Sequence, residues 1–277
     1  MGRAGPYDTL FRVAFVSRHE GVDLYWQEQG DGPLVVLALP FFGPPESFSP
    51  LSSALAEENR VVTYHLRGTG RSTRRGPYDL ETDAADLAAV VEDAGDGAVL
   101  VAAADGCDRA VMAAVLRPDL LTGVVCAGGS PVGRIAAQGT DSLAGSDSVI
   151  EALTSLIETD YRAALHAMLE PSNPQLDDEG LRERISSTVD YCPHEAAMPR
   201  FRSWVGDDVT DAAKDLGDRL WILEHGRNPW FPIEVARRAQ ELLPEAHIEK
   251  VDDGPLSRPD LTVTTVRRIT AAQGVPR

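Results

Sequence analysis

Two hydrophobic rhythms alternate along the first half of the chain. Continuous apolar runs mark strands buried on both faces, and segments with apolar positions every three to four residues mark helices. Val13-Ala-Phe-Val and Val22-Asp-Leu-Tyr-Trp read as an opening hairpin, and Gln27 to Pro33 leads out of it. Leu34-Val-Val-Leu-Ala-Leu is a buried strand, followed by a helix over Phe48 to Glu58 with Leu51, Ala54 and Leu55 on one side. Val61-Val-Thr-Tyr-His-Leu is the next strand, and Leu80 to Ala94 the next helix, with Asp79 placed to cap it. Ala98-Val-Leu-Val-Ala, a helix from Arg109 to Leu116 closed by Pro118, and Leu121-Thr-Gly-Val-Val-Cys-Ala complete the series. Strands separated by helices in this way predict a mostly parallel, doubly wound α/β sheet.

After Ala127 the strand rhythm stops. Pro131 to Thr140 reads as a Gly- and Ala-rich linker. Val149, Ile150, Leu153, Leu156, Ile157, Ala164, Leu165 and Met168 predict a long amphipathic helix with room for one break, and Gly180 to Val189 and Glu195 to Val205 predict two more. The strand rhythm returns at Leu220-Trp-Ile-Leu-Glu-His. A helix from Ile233 to Leu243, a strand at His247-Ile-Glu-Lys-Val and a helix from Leu261 to Ala272 follow. The expected organisation is an α/β core of residues 1–131 and 216–277, with a helical cap, 132–215, inserted before the last two strands.

Composition narrows the partners. Lys and Arg number 26 against 43 Asp and Glu, a net charge of −17 that disfavours nucleic acid and anionic membranes. Three cysteines, Cys107, Cys126 and Cys192, form no metal-like spacing, no pair of histidines does either, and a reducing compartment suits them. The first residues lack the apolar stretch of a signal peptide, and the run Leu34 to Phe42 is too short to span a bilayer. The expectation is a cytoplasmic protein without cofactor or metal, taking a small hydrophobic molecule as partner and able to form a homodimer.

Five segments in order resemble those of the α/β-hydrolase superfamily, over about Arg12 to Ala272. Leu34 to Gly43 resembles its strand and oxyanion loop, and Arg67-Gly-Thr-Gly-Arg-Ser the turn after its fourth strand. Val101 to Cys107 resembles the nucleophile elbow, His225-Gly-Arg-Asn-Pro the acid turn after a cap, and Gly254-Pro-Leu-Ser-Arg-Pro-Asp the histidine loop. The resemblance implies a hydroxyl at the elbow, a carboxylate after the post-cap strand and an imidazole near the end. Ala104, Asn228 and Pro255-Leu256 stand at those places. A methyl cannot attack a carbonyl, an amide cannot stabilise an imidazolium as a carboxylate does, and neither Pro nor Leu moves a proton. The oxyanion donors implied by the resemblance are the N–H groups of Phe41 and Asp105.

Replacement chemistry has three candidates: Asp105 beside the elbow, His65 at the end of the fourth strand and His225 at the end of the post-cap strand. Each has a bland alternative, a carboxylate turned sideways or a histidine holding its own turn. Cys107 is either packing or a reactive thiol, and Asp252, Asp253 and Asp260 read as solvated loop residues. Phe41, Phe42, Trp204 and Trp230 are candidates for an apolar pocket wall, or for a plug that fills it. Three functions remain open. The first is a non-hydrolytic enzyme (cyclase, isomerase or lyase) acting on a hydrophobic metabolite under the cap. The others are a non-catalytic ligand-binding relative and a hydrolase rebuilt on replacement residues.

Overall fold

In the computed structural model the described residues are 12–18, 21–95, 97–225, 228–251, 254 and 258–272. Eight strands form one sheet: β1 (Arg12–Arg18), β2 (Val22–Gln29), β3 (Leu34–Ala38), β4 (Arg60–Tyr64), β5 (Ala98–Ala102), β6 (Leu121–Ala127), β7 (Leu220–His225) and β8 (His247–Val251). Their spatial order is β1-β2-β4-β3-β5-β6-β7-β8. β2 runs antiparallel to both β1 and β4, and every other pairing is parallel. The central strands β3 and β5 are buried at every residue, which is why they carry unbroken apolar runs. At the edge, β1 leaves Val13 and Phe15 exposed.

The helices packed on the sheet are α1 (Ser49–Ala56), α2 (Leu80–Ala94), α3 (Gly106–Leu116), α10 (Ile233–Leu242) and α11 (Pro259–Ala272). α1 and α11 cover one face of the sheet over Val35, Leu37, Val61, Val99 and Val125. α2 and α3 cover the other, over Val36, Val62, Leu100 and Val124. The register of alternate residues therefore feeds two separate apolar layers, each fully buried Val or Leu contributing about 1.5–3 kcal/mol. Asp79 caps α2 as expected, its carboxylate accepting the Thr82 N–H at 2.8 Å.

Between β6 and β7 lie α4 (Gly133–Ala137), α5 (Asp147–Thr159), α6 (Tyr161–Leu169), α7 (Asp178–Tyr191), α8 (His194–Gly206) and α9 (Thr210–Leu216). The long amphipathic pattern breaks at Asp160, whose carboxylate caps α6 by accepting the Ala163 N–H. Two helices depart from expectation. The presumed linker contains α4, because Val132, Ala136 and Ala137 are buried and Arg238 from α10 donates to the Ala136 and Gln138 carbonyls at its end. α9 is too short to announce itself by periodicity and stops at Gly217, φ +54°. Among the described residues no helix is long and apolar enough to cross a membrane.

Candidate active site

β5 ends at Ala102 and α3 begins at Gly106, so three residues make the turn between them. Ala104, at its centre, has φ +48° and is the one non-glycine residue with positive φ among those described. The left-handed region costs an L-residue on the order of 1–3 kcal/mol and persists only where the surroundings impose it. The surroundings are tight. A Cβ at Gly106 would come 2.0 Å from the Ala38 carbonyl oxygen, and one at Gly129 would come 2.8 Å from the Ala104 nitrogen. The Ala103 N–H donates to the Ala38 oxygen and the Cys107 N–H to the Ala104 oxygen. A sharp elbow is thus built and strained, with a methyl at its apex.

Beside it the Phe41 N–H points at the Asp105 carboxylate, 3.3 Å from each oxygen. The first expected oxyanion donor is therefore engaged by a neighbouring side chain. Asp105 is 11% exposed and lies 3.5 Å from Arg109. Burial lifts its pKa to about 6 against the pull of Arg109 and the Phe41 N–H. Asp108, one position short of a helical turn further on, is also pushed up by burial and then by the Asp105 charge.

Arg109 donates to the Leu39 carbonyl at 2.5 Å and so ties α3 to the Phe41 loop. Arg200, from α8, makes a two-pronged pair with Asp83 of α2 at 2.5 and 2.8 Å. It also donates to the Arg67 carbonyl at 2.9 Å. Arg67 makes the same kind of pair with Asp86 at 2.6 and 2.7 Å. These fork-to-carboxylate pairs are buried, which strengthens them and makes an unpaired member costly. Arg200 binds the inserted α8 to the core, and the Arg67–Asp86 pair holds the turn after β4 to α2. What remains open is a cleft of about 20 Å³ lined by Leu80, Asp105, Asp108, Arg109, Arg200 and Trp204, room for about one water molecule.

The other candidates fall elsewhere. His65 is buried, with Tyr25 at 4.7 Å and Tyr191 edge-on at 5.3 Å. Its Nδ1 accepts the Arg71 N–H at 2.8 Å. Burial, aided by Arg71, lowers its pKa to about 4. His65 is thus neutral near pH 7 and holds the 67–72 turn through its Nδ1. His225 ends β7, and its side chain lies outside the described part, as do Pro255 and Leu256. Asn228 turns its oxygen onto the N–H groups of Trp230 and Phe231, at 3.0 and 3.3 Å. This is an Asx turn that shapes its own loop. Cys107 is buried and its thiol pushed well up by burial, so it is packing. Asp260 pairs with Arg258, while Asp252 and Asp253 lie outside the described residues.

Of the four aromatic residues read as a pocket wall or a plug, Trp204 lines the cleft. Trp230 meets Trp204 edge-on at 6.3 Å and donates to Ser172. Phe41 and Phe42 pack edge-to-face at 5.0 Å. The cleft at the elbow is lined by the charged Asp105, Asp108, Arg109 and Arg200 together with Leu80 and Trp204.

Sequence reasoning missed the contribution of Asp83, Arg109 and Arg200, which are distant in the chain and converge only in the fold. It also missed Glu224. Near the end of β7, Glu224 is 1% exposed, and among the described residues neither carboxylate oxygen has a hydrogen-bond partner. Burial raises its pKa to about 8. A lone Glu in an apolar strand, Leu220-Trp-Ile-Leu-Glu-His, was the available signal.

No family model matches the chain. A protein of Caulobacter segnis that bears the name carbamate hydrolase RutD is 25% identical over 229 residues, 79% of this chain and 82% of the relative. Among solved structures, an esterase from Exiguobacterium antarcticum superposes with a TM-score of 0.77 at 19% identity, covering 92% of this chain and 98% of that one. E-2-(acetamidomethylene)succinate hydrolase superposes with a TM-score of 0.72 at 20% identity, covering 94% and 99%. All three names are those of hydrolytic enzymes, which corrects the expectation of a cyclase, isomerase or lyase. The strand order, the elbow after β5, the helices between β6 and β7 and these likenesses together show that the chain has the α/β-hydrolase fold.

Proposed function

We propose that the protein hydrolyses a small ester- or carbamate-type carbonyl compound without a covalent intermediate, with Asp105 as the base that activates water. The carrying observation is a carboxylate one residue past the elbow apex, with a pKa lifted to about 6 and contacts to both the Phe41 N–H and Arg109. A base whose pKa lies just below neutrality is ionised at pH 7 and still basic enough to take a proton from water. In this reading the water oxygen bonds to the carbonyl carbon and its proton passes to Asp105. Protonation weakens the hold of Asp105 on the Phe41 N–H, which becomes available to the new oxyanion. Collapse expels the alcohol or amine, which takes the proton back. Ala104 has no atom that can form an ester, so no acyl-enzyme stage enters.

Magnitudes set the expected speed. Positioning and oxyanion donors alone leave roughly 10³–10⁴ over the reaction in water, and a placed base adds roughly 10²–10⁴. The cleft of about 20 Å³ does not admit a substrate while Arg200 holds Asp83, so α8 moves for entry. Two lines of support are general: the relative and the structural neighbours bear hydrolase names, and a cytoplasmic setting suits three free cysteines.

Turnover of small activated esters and carbamates tests the reading. It should rise with pH through about 6 and disappear in Asp105→Asn. A second reading, a non-catalytic relative that binds a ligand, is favoured by the small volume of the cleft. It takes over if turnover never exceeds the buffer rate.

A further inference from the structure

On the opposite face of the sheet from α3 and the elbow, a second cavity of about 170 Å³ lies between α1 and the strands β2 and β4. Its floor is set by register: Gln27 stands opposite Thr63 and Gln29 opposite Val61, and all four line the cavity. Ser49 and Ser53 from α1 and Glu46 from the preceding turn face them. Thr63 is only 7% exposed. Among the described residues no side-chain hydrogen bond engages the Thr63, Ser49 or Ser53 hydroxyls, the Gln29 amide or the Glu46 carboxylate. Glu46, Ser49 and Ser53 are open to water, whereas Thr63 is buried with its hydroxyl toward the open volume, where a polar occupant would take its hydrogen bond.

The chemistry of the lining selects that occupant. Hydroxyls and primary amides both donate and accept, so they match vicinal hydroxyl groups, which do the same. Among the described residues no Lys or Arg lines the cavity, and Glu46 together with a net charge of −17 repels anions. Val61 and Pro45 offer an apolar surface to the C–H face of a ring. The volume suits one six-membered ring, since a cavity of about 150 Å³ admits benzene. We infer that this cavity is a binding site for a neutral cyclic polyol, such as an unphosphorylated hexose or a cyclitol, independent of the chemistry at the elbow.

Titration calorimetry of the full chain with myo-inositol and with glucose tests the site, with glucose 6-phosphate and cyclohexanol as controls. A Kd on the order of 1 mM is expected for at least one of the polyols. Binding of either control with comparable affinity would overturn the assignment, because it would not depend on neutral hydroxyls. Thr63→Val and Gln29→Leu should each weaken the polyol by about tenfold, the value of one lost hydrogen bond. Ser53→Ala, at an exposed position that cannot unfold the chain, should weaken it by a smaller factor. No heat with either polyol, or affinities untouched by all three substitutions, would sink the proposal. Hydrolytic turnover should be the same with and without polyol, so the two sites stand or fall separately.

Discussion

Asp105→Asn isolates the cost of ionising a buried carboxyl. The folded-state pKa is lifted from 3.8 to about 6, chiefly by burial. An acid with a raised pKa binds its proton more tightly folded than unfolded. Its contribution to stability is therefore fullest below pH 3.8, declines as pH rises to about 6, and stays at its low value above that. At about 1.4 kcal/mol for each pKa unit, that interval is worth at most about 3 kcal/mol. Because the side chain retains 11% exposure, about 1–3 kcal/mol is expected. An amide of the same shape does not titrate. The stability of Asp105→Asn minus that of the wild type should grow by this amount between pH 4 and pH 7, whatever constant offset the amide introduces. Urea unfolding followed by tryptophan fluorescence at several pH values measures the difference, and the other carboxylates cancel in it. A difference that stays flat, or that moves toward the wild type as pH rises, would show that Arg109 and the Phe41 N–H outweigh burial. It would also remove the basis for a base poised near pH 6.

Two further substitutions probe the surroundings. Arg200→Met leaves Asp83 buried with Arg109 at 3.9 Å as its nearest cation and should cost about 3–5 kcal/mol in urea unfolding; adding Asp83→Asn should recover much of it, and a loss below about 1 kcal/mol would mean the pair does not latch α8 to α2. Glu224 has its pKa raised by burial to about 8, so its contribution is full below pH 4.5 and lost as pH rises to about 8; Glu224→Gln should gain on the order of 2–4 kcal/mol over the wild type at pH 9 relative to pH 4, and equal pH profiles would show a carboxyl that water reaches.

The order of the elements could be read from the chain because each depends on local rhythm. β3 and β5 are unbroken apolar runs, and α2 announces itself through Asp79 and its spaced Leu87, Val90 and Val91. α4 and α9 escaped because five and seven residues complete too few turns for a periodic pattern. The elbow could be located from Ala102 to Gly106, since crowding there demands small residues whatever the apex holds. The character of the cleft could not. It depends on Arg200 reaching Asp83 across 117 positions and on Arg109 reaching Leu39 across 70, pairings that no spacing in a single sequence announces. Phe41, Phe42, Trp204 and Trp230 read equally as a pocket wall or as a plug, and their pairing, Phe41 on Phe42 and Trp204 on Trp230, is a tertiary fact that the sequence does not announce. His65 illustrates the same limit: its place at the end of a strand was evident, while its service to the Arg71 N–H is a tertiary fact.

The central claim is hydrolysis by an activated water at an elbow that holds no nucleophile. Mass spectrometry of the intact protein, quenched during turnover of an activated ester, tests it most directly. The account predicts product release with the chain at its unmodified mass at every time point, and no product with Asp105→Asn. An acyl adduct on any side chain of the wild type, or undiminished product release from Asp105→Asn, would contradict it.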